Sequence, residues 1–267
     1  MAQATYRKEG VLMHMTGKET SIAKKPFLVL LWIELALIVF VAGGSAYVSI
    51  AELTHPAAPF LGFIPLALFL LYFLIRKDRA RTYYLTGISA IKGKQWLDYA
   101  PLLLILIVLL IANNGFAAAP ASTFVYLLLT QLLLVGFVEE TLFRGILMRV
   151  FAHKGVLYAV MISSVFFGIT HALQALGGQS LEDTLLQIVY AFGTGFMLSL
   201  LVAKHQAVLL TILFHGLHNF INMTGNEPSN HLYDYLVLAI IAAYCLWLLR
   251  SVRQTRPAKQ GVAPSVT

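Results

Sequence analysis

Apolar runs long enough to cross roughly 30 Å of hydrocarbon recur along the whole chain, and that recurrence limits the fold more than any other feature. They fall at about 27–51, 59–75, 98–118, 124–149, 156–176, 184–203, 206–222 and 232–249. A bilayer offers backbone N–H and C=O groups no partner, so each run must satisfy its own hydrogen bonds as a helix. Composition agrees: 59% of the 267 residues are hydrophobic and 12% are charged, far from the mixed surface of a soluble domain. The predicted fold is all-α, a polytopic membrane protein with about eight transmembrane helices. The second and seventh runs are short enough to be tilted, broken or partly inserted.

The basic residues test that reading, because Lys and Arg accumulate in short cytoplasmic loops. Arg7, Lys8, Lys18, Lys24 and Lys25 precede the first run, and Arg76, Lys77, Arg79, Arg81, Lys92 and Lys94 separate the second from the third. Arg149 and Lys154 follow the fourth, Lys204 the sixth, and Arg250, Arg253, Arg256 and Lys259 the eighth. The alternate loops hold Glu52, Glu182, Asp183, Glu227 and Asp234 but no Lys or Arg. An even number of spans with both termini cytoplasmic explains this pattern. The expected division is a cytoplasmic segment at 1–25, a transmembrane domain at 26–250 and a cytoplasmic tail at 251–267, solvated and containing Pro257 and Pro264.

The net charge of +7 therefore reports topology and contact with anionic lipid. No groove-reading or base-stacking pattern accompanies it, so no nucleic acid is expected. The first apolar run begins after Pro26 and is too long for the core of a cleavable signal peptide. The single cysteine, Cys245, excludes an internal disulfide framework and reads as a small buried residue. The short chain and sharp charge bias suit a prokaryotic inner membrane.

Three spans carry polar residues whose presence in hydrocarbon requires a reason. The fourth contains FVEETLFRG, with Glu139 and Glu140 adjacent and Arg144 four residues after the second. Successive helical residues point about 100° apart, so the two carboxylates address different places. Glu140 and Arg144 share a face and can pair, bracing the site, while Glu139 lacks such a partner and is free to take a proton. A purely structural polar pair holding helices together is the competing reading.

The fifth span places Phe167 and His171 on one face, in FFGITH; taken alone, His171 reads equally well as a structural imidazole. The seventh contains FHGLHNFIN. There His215 and Asn219 can both donate towards one point, as a developing oxyanion requires, whereas His218 and Asn222 read as interhelical polar contacts. At about 1.5 Å per residue, Glu139 lies ten residues before Arg149 and His215 eleven after Lys204, roughly 15–17 Å from the cytoplasmic edge. His171, seventeen after Lys154, comes out near ~25 Å, a mismatch that requires a later start to span five, a tilt, or a deeper site. Gly168, Gly193 and Gly195 could permit close approach nearby.

In order and type, E-E-x-x-x-R (Glu139, Glu140, Arg144), F-x-x-x-H (Phe167, His171) and H-x-x-x-N (His215, Asn219) resemble the motifs of the CPBP family. That family includes the type II CAAX prenyl endopeptidases and the bacterial Abi, or bacteriocin-processing and immunity, proteins. The resemblance covers about 124–222. It implies an eight-span intramembrane endopeptidase with a cavity open to cytoplasm and membrane. In that picture Glu139 and His171 activate a water, His215 and Asn219 stabilise the oxyanion, and Glu140, Arg144 and Phe167 support them. The substrate it implies is a membrane-presented peptide or protein, CAAX-like or a bacteriocin or leader peptide.

No cofactor is expected, since H-E-x-x-H is missing and the candidate ligands are scattered over three helices. The alternative is a zinc-dependent hydrolase with Glu139, His171 and His215 as ligands. A further alternative is a non-catalytic immunity factor, scaffold or transport component in which the polar cluster binds a partner.

Overall fold

A computed structural model describes residues 25–76, 78–226 and 232–254. Nearly all of the expected 1–25 segment and most of the 251–267 tail lie outside them, as do Arg7, Lys8, Lys18, Lys24, Lys77, Glu227, Arg256 and Lys259. In chain order the apolar helices are α1 (Pro26–Ile50), α2 (Phe63–Leu74), α3 (Gly93–Ala112), α4 (Ala121–Lys154), α5 (Val156–Leu173), α6 (Leu181–His205), α7 (Val208–Thr224) and α8 (Leu232–Arg253). Six of them are long and apolar enough to cross a membrane, and α2 and α7 are the short ones. Among the described residues no strand forms. The chain is an all-α polytopic membrane protein.

Local chemistry fixes the ends. Pro26 opens α1 and Pro120 precedes α4, positions where a missing N–H does no harm. Ser180 caps α6, its Oγ accepting from the Asp183 N–H at 3.1 Å. The α3 helix ends sooner than the apolar run because Asn113, Asn114 and Gly115 form a polar turn, and Asn113 instead donates from Nδ2 to the Ile221 carbonyl of α7 at 3.1 Å.

Large apolar side chains such as Trp32, Leu68, Phe69, Leu103, Leu133 and Leu246 face outward, where lipid rather than water would meet them. Inside, one apolar cluster joins α1, α2, α4 and α5, and a second joins α3, α6, α7 and α8 to the end of α4. Every residue of α4 from Thr141 to Met148 is buried, as is every residue of α6 from Met197 to Ala203. These are the two central helices. Cys245 is buried in α8.

The segment between α2 and α3 is folded onto the bundle. Tyr83, Tyr84 and Ile91 are buried, and the Tyr84 carbonyl accepts from the Val208 N–H at 3.0 Å, roofing the start of α7. Arg149 donates from Nη1 to the Tyr84 hydroxyl at 2.6 Å. Burial pushes the Tyr84 phenol up, so it stays a neutral acceptor.

Candidate active site

Two π-helical stretches of α4, Gln131–Gly136 and Thr141–Leu147, flank the four-residue α-helical segment Phe137–Glu140 that carries both glutamates. Each wide turn shifts the following residues around the helix axis, a distortion found often at functional sites. The regular 3.6-residue repeat therefore does not describe this helix, although Glu140 and Arg144 still meet.

Both members of that pair have no exposed side-chain surface, and Arg144 Nη1 donates to Glu140 Oε1 at 2.9 Å. The same oxygen accepts from His215 Nδ1 at 2.8 Å. Glu140 thus links a cation on its own helix to an imidazole on α7. The Arg144 guanidinium also lies 3.9 Å over the ring of Phe167, a cation–π contact strengthened by burial.

Glu139 points elsewhere. Its Oε2 is buried, sits 3.6 Å from His215 Nε2, beyond hydrogen-bond length, and receives no hydrogen bond from any described residue. Glu140 is engaged through Oε1 by Arg144 and His215, while its Oε2, like Glu139 Oε2, receives no hydrogen bond from a described residue.

Phe167 is the apolar hub. Its ring centroid lies 4.8 Å from that of His171, 5.7 Å from that of His215 and 5.2 Å from that of Phe143. His171 stands at the end of the α-helical part of α5, with Nδ1 2.8 Å from the Phe167 carbonyl. A carbonyl only accepts, so Nδ1 carries a proton and Nε2 is the ring nitrogen left for other partners. His171, His215 and the Arg144 guanidinium all gather around the Phe167 ring. Gly195 of α6 backs this cluster: a Cβ there would lie 2.8 Å from Arg144 Nη2 and 3.0 Å from Phe167 Cδ1.

The depth mismatch is resolved by the true helix ends. The α5 helix starts at Val156 as expected, but α4 runs past Arg149 to Lys154. Measured from the Gly155 turn, Glu139 lies sixteen residues back and His171 sixteen forward, so the two sit level on antiparallel helices. Arg149 was the wrong reference because its guanidinium is turned to Tyr84 inside the fold. Lys204 marks no edge for α7 either, since Ala207 and Val208 are fully buried beneath the roof of the α2–α3 segment.

Asn219 is one turn beyond His215, with Nδ2 donating to Gln131 Oε1 at 3.1 Å. The carboxamide and His215 are thus on one face of α7, but each is already engaged by a different residue of α4. The 2.9 Å contact of His218 Nε2 with the Tyr190 hydroxyl joins α7 to α6, the interhelical role read for it. Asn222 is exposed, its Nδ2 3.5 Å from His218 Nδ1 on the same helix. The approach of α4 to α7 rests on two glycines. A Cβ on Gly216 would lie 2.6 Å from Leu132 Cδ2, and one on Gly136 would lie 3.0 Å from the Ile212 carbonyl.

Sequence reasoning missed two further polar groups. Gln131 is almost wholly buried, and Glu34 of α1 has its Oε2 2.9 Å from the Thr170 hydroxyl, one residue from His171. A polar residue interrupting an apolar run was the available signal for both.

Comparison with known proteins agrees with the motif resemblance. Residues 121–221 match the family model described as type II CAAX prenyl endopeptidase Rce1-like. That stretch contains Glu139, Glu140, Arg144, Phe167, His171, His215 and Asn219. It supports an intramembrane endopeptidase of CAAX type in general terms. No curated protein matches the chain.

Proposed function

We propose that the chain hydrolyses a peptide bond of a membrane-presented substrate, with Glu139 and His171 activating the attacking water and His215 and Asn219 stabilising the oxyanion. The observation that carries this reading is Glu139 Oε2: a buried carboxylate oxygen without a donor, 3.6 Å from the His215 imidazole, which the Phe167 ring joins to His171. A carboxylate so placed can take a proton from water as the water oxygen bonds to the substrate carbonyl carbon. It then returns that proton to the leaving amine as the C–N bond breaks. His171, with Nδ1–H on the Phe167 carbonyl, holds the water through Nε2. His215, held through Nδ1 by Glu140, meets the developing negative charge at Nε2, joined by the remaining N–H of Asn219.

The reading uses no metal: with Nδ1 of His171 on the Phe167 carbonyl and Nδ1 of His215 on Glu140, the Nε2 atoms of the two rings are given to the water and the oxyanion. The substrate class is a CAAX-like or leader-like peptide reached from bilayer and cytoplasm, with both termini of the enzyme cytoplasmic and the protein in a prokaryotic inner membrane.

The test compares membranes from cells making wild type or Glu139→Ala by C-terminal proteomics. An internally quenched, farnesylated CAAX peptide, cleaved in proteoliposomes of the purified proteins, serves as the defined probe. Trimmed C-termini and probe cleavage with wild type only are the expected result. Equal outcomes for the two proteins would return the cluster to a scaffold or immunity role.

A further inference from the structure

Gln131 is a buried polar side chain of α4 that the proposed reaction leaves without a job. It is 1% exposed, lies in the π-helical stretch Gln131–Gly136, and stands eight residues before Glu139. Its Oε1 accepts from Asn219 Nδ2 at 3.1 Å, across the α4–α7 interface closed by Gly136 and Gly216. Its own Nε2 is buried and has no partner among the described residues.

We infer that Gln131 is a positioning residue that acts through Asn219, setting which edge of that carboxamide faces the substrate carbonyl. The inference rests on the reading of Asn219 as an oxyanion donor.

An isolated asparagine on a helix can turn its amide about the last side-chain bond, so that the oxygen rather than the nitrogen meets an oxyanion. Such a flip replaces attraction by repulsion. The acceptor at Gln131 Oε1 opposes it by binding one N–H of the Asn219 amide, which leaves the second N–H as the group available to a ligand. On the other side, Asn219 Oδ1 lies 3.4 Å from His218 Nδ1, while His218 Nε2 contacts Tyr190 OH at 2.9 Å. Nitrogen is thus drawn towards Gln131, which leaves Oδ1 on the His218 side, where Asn222 Nδ2 also lies 3.5 Å from His218 Nδ1. The two helices run antiparallel here: Gln131 precedes Glu139 on α4, whereas Asn219 follows His215 on α7.

The test uses full-length protein in proteoliposomes with the quenched farnesylated peptide. Gln131→Met preserves length and apolar volume but removes the acceptor, and Gln131→Glu restores an acceptor oxygen. The expected result for Gln131→Met is a fall in kcat on the order of tenfold to 10²-fold, with KM and thermal midpoint close to wild type. Gln131→Glu recovers most of that loss. In an Asn219→Ala background, Gln131→Met should produce no additional fall, because the residue it positions is gone. A purely structural role predicts the opposite: a lowered thermal midpoint, no recovery with Glu, and a loss that multiplies with Asn219→Ala. Gln131→Met at wild-type kcat while Glu139→Ala is inactive would overturn this inference and leave the peptidase reading standing. Activity retained by Glu139→Ala would remove that reading and the inference with it.

Discussion

Arg144→Met should be among the most damaging single changes in the protein, and the size of the effect follows from the geometry. The guanidinium and the Glu140 carboxylate are both fully buried and 2.9 Å apart, so removing the cation leaves a carboxylate in a low-dielectric interior with only His215 to oppose its charge. Breaking a buried pair from one side destabilises by about 3–5 kcal/mol, because the surviving charge is unpaired. Loss of the contact over Phe167 adds to this. Adding Glu140→Gln to Arg144→Met removes the stranded charge while keeping an acceptor for His215 Nδ1, and should recover most of the lost stability. Equilibrium unfolding in mixed micelles, followed by far-ultraviolet circular dichroism, measures the double variant and both singles, Arg144→Met and Glu140→Gln. A single mutant within about 0.5 kcal/mol of wild type, the range of ordinary surface substitutions, would refute the reasoning. So would a double mutant whose loss is the sum of the two singles.

Three other outcomes are expected. Gly195→Ala pushes a methyl to within 2.8 Å of Arg144 Nη2 in a space with no room, so the same unfolding assay should register a loss of about 1–3 kcal/mol, and wild-type stability would show that the cluster can give way. Asn219→Ala should lower kcat on the farnesylated peptide by roughly 10²–10³ with little change in KM, as loss of one oxyanion donor does. Peptide cleavage should be insensitive to strong chelators; stoichiometric zinc in wild type that disappears in His171→Ala would contradict the proposed metal-free chemistry.

The legible part of this molecule was what depends on composition and spacing. Apolar runs gave eight helices, with the second and seventh short, because the length of hydrocarbon to be crossed is fixed. The pairing of Glu140 with Arg144 followed from a four-residue separation that survives the π-helical turns around it. Less legible is which residue of another helix engages each side chain. His215 and Asn219 are read from α7 as two donors towards one point, and each is also held by a separate residue of α4, about which spacing within α7 contains no information. Arg149 and Lys204 served as markers of the membrane edge only because the folding of Tyr84 against α4 and α7 leaves no trace in local sequence. Gln131 and Glu34 were visible as polar interruptions, but neither belongs to a repeat or motif, and their partners Asn219 and Thr170 are far away in the chain.

The rate at which purified Glu139→Ala cleaves the farnesylated peptide in proteoliposomes, beside wild type and at matched folding, tests the central claim most directly. The account predicts cleavage by wild type and none detectable from the variant, since the reading gives the proton transfer to Glu139, whose Oε2 lies 3.6 Å from His215 Nε2. Equal rates from the two proteins would contradict it.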